Sequence, residues 1–262
     1  MSRTQELDAP AVRRQAAKPK VRRINPLQAV VVPVVVVLVV LLTFIWVGQL
    51  ELDSIEQRSL NPDNLIARTR EHLILSFVAS IIVAVTAVPL GILLDRARAK
   101  WVRGIVLGLG SIGQATPAVG IIILIALIWQ TGFTTALIAI IVYSFLPVLR
   151  NTVVGLEEVD PNVTEAATGM GMRPWQVLFR IKLPLAVPVI AAGLRTSLVF
   201  AVSVATIGAF IAAGGLGEII ISGLKLQRMP VLIVGAVLVA AIAVLVDWLA
   251  GIVEEIVRPR GL

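Results

Sequence analysis

Long runs of apolar residues, separated by short polar segments, make up most of the chain. A helix needs about 20 such residues to cross the hydrocarbon core of a bilayer, and a spanning segment must satisfy its own backbone hydrogen bonds. We therefore expect an all-α membrane protein with six transmembrane helices, even where valine-rich stretches would favour strands in water. The expected spans, of which the fourth is short, are Leu27–Val47, Leu73–Leu94, Gly104–Ile128, Thr134–Leu149, Val187–Ala212 and Val231–Val257.

Prolines interrupt the apolar runs at Pro33, Pro89, Pro117 and Pro147. Each removes one helix hydrogen bond and permits a kink, which neighbouring helices must accommodate. Such helices are common in transporters, although simple packing irregularity explains any one proline equally well.

The composition indicates lipid rather than water as the main solvent of the chain. Of the 262 residues, 58% are hydrophobic and 15% are charged, which is more apolar surface than a soluble domain of this length would bury. Cysteine is absent and His72 is the single histidine, so a disulfide framework and a thiolate or histidine-based metal site are excluded. The first apolar run is too long for the core of a signal peptide, and we expect it to be retained as a span.

The net charge of +7 comes from short basic runs beside the apolar segments. No aromatic residues are interleaved with them, which argues against a nucleic-acid surface and favours a role in membrane orientation. Positive charge next to a span stays in the cytoplasm, so the basic tail over residues 1–26 places the N terminus there. With six spans the C terminus is cytoplasmic as well, and the carboxylate-rich segment over residues 49–72 is an external loop.

The predicted cytoplasmic segment between spans four and five contains the most informative local pattern. Asp160 followed by Pro161 predicts a helix start, since Asp caps the first turn and proline needs no amide partner there. Ala167 and Gly171 are four residues apart, and on one helix face their small side chains would let another protein approach the backbone. Pro174 disfavours helical geometry at the residue before it and can open a second short helix.

This segment resembles the EAA loop of ABC importer permeases, and every consensus position is filled. The resemblance implies the type I ABC importer permease fold and a coupling helix that docks on a separate cytoplasmic ATPase. It therefore implies a translocation subunit, not an enzyme, with no cofactor of its own and with ATP and Mg²⁺ held by the partner. The sequence lacks the phosphate-binding P-loop motif G-x-x-x-x-G-K-[ST], which agrees with ATP being bound by the partner rather than by this chain. The matching residues are Glu165, Ala166, Ala167, Gly171, Ile181, Leu183 and Pro184.

The wider resemblance, over about 73–223, narrows the range of substrates to be expected. Residues 143–160, 193–198 and 211–220 look like those of permeases that import quaternary-ammonium osmoprotectants: glycine betaine, choline, carnitine or proline betaine. It implies further partners, namely a second permease subunit, identical or related, and an extracytoplasmic solute-binding protein. An ABC permease for another solute, such as methionine, another amino acid or phosphonate, is the first alternative. An ion-coupled transporter or channel without an ATPase is the second.

Candidate residues for the substrate path follow from the cargo. A quaternary ammonium has no hydrogen-bond donors, so aromatic faces would recognise it by cation–π contact. The available rings in the middle spans are Trp129, Tyr143, Phe145 and Phe200. Lipid-facing or core packing is the alternative for each of them.

Two further features of the spans are candidates. Gly214, Gly215 and Gly217 permit a tight external turn that could form part of an outer gate. Arg195 and Asp247 are charges within apolar runs, and they either lie on the permeation path or serve structure, with Arg195 reaching the cytoplasmic interface.

The expected organisation places a multi-pass permease in the inner (plasma) membrane of a bacterial cell. Its parts are a basic cytoplasmic tail over 1–26, the first span and external loop over 27–72, and the permease core over 73–257. The core includes the coupling loop over 159–186, and residues 258–262 form a second cytoplasmic tail.

Overall fold

The computed structural model describes residues 26–96 and 100–257, and every regular element in those ranges is a helix. A π turn, Leu178–Lys182, joins the helices α8 and α9, and a 3-10 turn, Gly208–Ile211, follows α9. The helices are α1 (Pro26–Gly48), α2 (Ser54–Ser59), α3 (Pro62–Arg96), α4 (Lys100–Ala115), α5 (Ala118–Ile128), α6 (Phe133–Glu157), α7 (Pro161–Gly169), α8 (Pro174–Val177), α9 (Leu183–Ile207), α10 (Leu216–Lys225) and α11 (Met229–Val257).

Five helical stretches are long and apolar enough to span a membrane. Four are the helices α1, α3, α6 and α11, and the fifth is the continuous stretch Pro174–Ile211, which contains α9. The prediction of an all-α membrane fold is confirmed. The external segment expected over residues 49–72 is largely helical, because α2 lies within it and α3 already begins at Pro62.

The third predicted span, Gly104–Ile128, is wrong as one continuous helix. It is a pair of helices, α4 and α5, bent by 96° where they meet, and counting the pair as one broken span gives the six spans predicted from the sequence. The backbone of Pro117 is extended (ψ 130°), and proline has no amide hydrogen to continue the ladder from α4. The proline was expected to kink the helix, whereas the structure shows a full break.

The fourth span is longer than expected, since α6 runs eight residues beyond Leu149 and passes through Pro147. Proline in a helix leaves the carbonyl four residues earlier without its usual donor, here that of Tyr143. The side chain of Gln114 in α4 donates to that carbonyl oxygen across 3.4 Å, so a neighbouring helix supplies the missing bond.

The core lies around α6, which packs against α3, α4, α5 and α9. One buried cluster joins Leu75 and Ala79 of α3 with Ile140 of α6 and Ala205 of α9. Helix α1 lies at the periphery and packs against α11. Its outward valines remain exposed, as expected for a helix in contact with lipid.

The two ends of the bundle can be told apart by their contacts. At one end, here called the loop end, Lys182 before α9 pairs with Asp95 of α3, and Arg103 of α4 pairs with Glu157 of α6. At the opposite end, the amide of Gly132 donates to the carbonyl of Ile211 across 2.7 Å. The loop end is the one predicted to be cytoplasmic.

Candidate functional site

The segment between α6 and α9 projects from the loop end as two short helices. The carboxylate of Asp160 accepts from the amide of Asn162 across 2.8 Å, and Pro161 is the first residue of α7. Arg173 is extended, as expected before proline, and α8 then begins at Pro174. Both predicted helix starts are confirmed.

Helix α7 ends in a Schellman motif at Gly171. The amide of Met172 donates to the carbonyl of Ala167 (3.2 Å) and that of Gly171 to Thr168 (2.9 Å). Gly171 has φ +85°, a left-handed conformation that glycine adopts without strain.

The expectation that Ala167 and Gly171 share one exposed helix face is wrong. Ala167 is only 2% exposed and faces the rest of the chain, while Gly171 is exposed but lies beyond the end of α7. The sequence spacing assumed a continuous helix, and the glycine instead ends it. Gly171 therefore shapes the turn between the two short helices.

Apolar side chains cover the outer surface of this segment. We define the loop face as Val163, Met170, Trp175 and Phe179, all of them exposed large hydrophobic residues. Among these, Met170 is 78% exposed. Val163 and Met170 lie on the segment before the apolar stretch Pro174–Ile211, and Trp175 and Phe179 lie at its start. Large apolar side chains exposed on a segment at the loop end are typical of a protein docking surface.

The other consensus residues of the loop differ in environment. Glu165, Ala166 and Pro184 are exposed, whereas Ile181 and Leu183 are half-buried. Proline at 184 cannot donate an amide, and directly before it the chain forms a π turn in which the amide of Leu183 donates to Leu178. The helix thus continues from the loop into the membrane span in a locally widened form.

The loop is fixed to the bundle by one ion pair and one apolar cluster. The ammonium of Lys182 lies 2.6 Å from a carboxylate oxygen of Asp95, and both side chains are largely shielded. Leu178 packs in a buried cluster with Leu156 of α6 and Ala186 of α9. The loop is therefore attached to three long helices, α3, α6 and α9.

The structure brings together two of the four aromatic path candidates. The rings of Tyr143 in α6 and Phe200 in α9 are 6.1 Å apart and meet edge to face, and both are half-buried. Trp129 is exposed at the end of α5, and Phe145 packs against the apolar cluster around Val83. The latter two make no ring contact with the pair.

Two of the gate candidates, Gly214 and Gly215, form the turn that precedes α10, whereas Gly217 lies in the first turn of α10 itself, so the expected three-glycine turn is wrong for Gly217. Gly214 and Gly215 both have φ +84°, and the amide of Gly215 donates to the carboxylate of Glu71 in α3 across 2.9 Å. Gly217 is packed so tightly that a Cβ atom there would lie 2.1 Å from the carbonyl oxygen of Thr206. The turn is closely fitted to α3 and α9.

A further charged cluster joins α9 to α11. Arg195 and Asp247, considered separately in the sequence, form a bidentate pair, and Glu254 joins them at 3.4 Å. Sequence reasoning missed Glu254 and Gly251. The signal was available, because positions 247, 251 and 254 lie on one face of a helix.

Residues 87–259, about two thirds of the chain, match the family described as binding-protein-dependent transport system inner membrane component. The chain belongs to this family. Its fold, its multi-pass membrane location and its nature as a translocating subunit follow from that membership and confirm the resemblance seen in the loop.

Curated relatives of this permease family are similar over most of their length. The glycine betaine/carnitine/choline permease OpuCB of Bacillus subtilis is 38% identical over 202 residues, covering 77% of this chain and 92% of the relative. The choline permease OpuBB of the same organism is 37% identical with the same coverage. The osmoprotectant permease OsmW of Salmonella typhimurium is 34% identical over 80% of this chain and all of the relative.

Solved structures agree on the permease fold. The inward-facing methionine ABC transporter MetNI matches with TM-score 0.65 and 22% identity, over 74% of this chain and 96% of that chain. An amino acid ABC transporter matches with TM-score 0.63 and 18% identity, over 79% of this chain and 99% of that chain. At these identities the likeness supports the fold alone.

Proposed function

We propose that this chain is the transmembrane subunit of an ATP-driven importer for quaternary-ammonium osmoprotectants such as glycine betaine, choline, carnitine or proline betaine. The observation that carries the proposal is the exposed apolar loop face, of which Trp175 and Phe179 lie on the same continuous helical stretch as the membrane span α9. The names of the curated relatives support the substrate class.

The loop face would dock on a cytoplasmic ATPase subunit, one beneath each of two permease subunits. ATP and Mg²⁺ would belong to that partner, and this chain would contribute the docking surface. Closure of the ATPase dimer would move the loop, and the Lys182–Asp95 pair with the cluster around Leu178 would carry the movement to α3, α6 and α9. The spans would then alternate between outward-open and inward-open arrangements.

Tyr143 and Phe200 are the preferred candidates for a weak transient site on the substrate path. Edge-to-face packing leaves part of each aromatic surface free, and a quaternary ammonium is attracted to such surfaces without any hydrogen bond. Trp129 and Phe145 are less suited, because the first lies exposed at a helix end and the second packs in an apolar cluster. A solute-binding protein outside the membrane would make the main selection.

The tight turn at Gly214 and Gly215 would form part of the external gate. It lies at the end of the bundle opposite the loop and is held by the carboxylate of Glu71. The ion pair between Arg68 of α3 and Glu218 of α10 lies beside that hydrogen bond, so opening would separate α10 from α3 at both contacts.

Reconstitution tests the proposal. The permease, its ATPase and its binding protein in liposomes should take up radiolabelled glycine betaine or choline only when ATP is supplied inside for the ATPase. Uptake that persists without the ATPase would exclude an ABC importer. Nanomolar methionine binding by the cognate binding protein, without betaine or choline binding, would instead favour an amino-acid permease.

A further inference from the structure

The guanidinium of Arg195 on α9 contacts two carboxylates on α11. Nε and Nη2 donate to the two oxygens of Asp247 at 2.6 and 2.7 Å, the geometry of a strong bidentate pair. Nη1 lies 3.4 Å from Glu254, a longer contact made by the remaining arm of the guanidinium. Asp247 is therefore the principal partner in this conformation, and Glu254 is a second partner already within reach.

The face of α11 under the guanidinium is shaped for it. Asp247, Gly251 and Glu254 follow one another along the helix on the same side. A Cβ atom at Gly251 would lie 3.0 Å from Nη1 and 3.2 Å from Cζ of Arg195. Glycine thus leaves an open track between the two carboxylates, along which the guanidinium can pass close to the helix backbone.

A second carboxylate in these surroundings has a cost in solvation free energy. A cavity of about 320 Å³ beside the cluster is lined mainly by apolar side chains, among them Phe77, Leu194 and Leu249. Charges within membrane spans are costly, and one carboxylate suffices to neutralise one arginine. Asp247 alone neutralises Arg195 in this conformation, so Glu254, which is within reach of the same guanidinium, is available as its partner in a second conformation.

We propose that Asp247 and Glu254 are alternate partners of Arg195, and that these three are positioning residues for the sliding of α9 along α11 during transport. This inference rests on the proposed function. The continuous stretch Pro174–Ile211 contains α9 and begins with Trp175 and Phe179 of the loop face, so a pull on these two residues would act along α9. The guanidinium passes over Gly251 from one carboxylate to the other and stays paired throughout.

The direction of the step follows from the helix order. Glu254 lies nearer to the loop end than Asp247, so pairing with Glu254 places α9 closer to that end. Since Arg195 already reaches both carboxylates, the required slide is less than one helical turn of about 5 Å. A stepwise exchange of partners in this way is one known form of helix movement in allosteric proteins.

Distance measurements between two spin labels test the switch in the full permease–ATPase complex. The chain contains no cysteine, so single cysteines can be introduced for labelling without first removing native ones. The labelled positions are Arg180, at the start of the span, and Met229, at the far end of α11. Labelled chain is diluted with unlabelled chain to isolate distances within one subunit. Asp247→Asn should enrich the longer distance by a few ångströms, and Glu254→Gln should enrich the shorter one.

Controls separate this switch from a fixed structural pair. Glu255→Gln, which changes an exposed neighbour, should leave both populations as in the wild type. Gly251→Ala places a methyl group 3.0 Å from Nη1, so it should crowd the exchange and reduce the ATP-dependent change in distance, which serves if Asp247→Asn does not insert. Shifts of both carboxylate variants in the same direction, or no shift, overturn the switch. Loss of ATP-dependent uptake by the wild type instead overturns the proposed function.

Discussion

Lys182, in the π turn before α9, lies 2.6 Å from Asp95 near the end of α3. The pair joins the docking loop to a helix that is remote from it in sequence. Its side chains are only 22% and 11% exposed, so each charge depends on the other for most of its compensation. The contact is therefore a direct mechanical link between the loop and the membrane spans.

Removal of one member of this pair should uncouple the loop from the spans. We expect Asp95→Asn to lower ATP-driven uptake at least several-fold and to cost about 1–3 kcal/mol of stability, because Lys182 is left partly buried without its counter-charge. The double variant Asp95→Leu/Lys182→Met should be more stable than the single one. Uptake and thermal unfolding of purified protein measure the two effects, and normal uptake in Asp95→Asn would contradict this role.

Local chemistry in the sequence was sufficient to predict the start of each loop helix. Asp160 accepts a hydrogen bond from the amide of Asn162, and Pro161 and Pro174 restrict the backbone next to them, so both starts depend only on adjacent residues. The structure contains both starts. The long apolar runs likewise predicted the membrane spans, since the bilayer itself imposes the helical conformation.

Features that depend on distant residues could not be predicted in this way. Pro117 predicted an interruption, but the 96° angle between α4 and α5 goes with the packing of both helices against α6. The burial of Ala167 goes with the packing of α7 against α8 and the π turn. The contact between Tyr143 and Phe200 joins two separate helices. Such relationships depend on the packing of the whole chain. By contrast, the position of Asp247 and Glu254 on one face of a helix could be predicted from their spacing in the sequence.

Gly171 offers a test that separates backbone geometry from docking. Gly171→Asp should abolish uptake while the protein still inserts, because it adds a charge at an exposed position beside the loop face. Gly171→Asn is the matched control, since asparagine is neutral, similar in size and tolerant of left-handed geometry. We expect it to retain most uptake. An equal loss of uptake in both variants would mean that Gly171 is needed for the geometry of the turn rather than for docking.

The loop face should tolerate apolar exchange but not charge. Met170→Asp should reduce co-purification of the ATPase about tenfold or more, because a charge within an apolar interface costs about 1.4 kcal/mol or more of binding energy. Met229→Asp is the control, because Met229 is also exposed (61%) but lies at the opposite end of the bundle. Equal ATPase recovery with both variants would exclude Met170 from the docking surface.

The aromatic pair should influence transport through its π surface rather than through the tyrosine hydroxyl. Phe200→Leu removes a ring but keeps an apolar side chain, and we expect the apparent KM for a quaternary-ammonium substrate to rise about 3- to 10-fold. Tyr143→Phe should leave KM unchanged, because both rings remain. Phe145→Leu is the matched control in α6, since that ring packs in a separate apolar cluster. KM is measured with saturating binding protein. If Phe145→Leu raised KM as much as Phe200→Leu does, the effect would reflect a general loss of packing, and the aromatic pair would not belong to the substrate path.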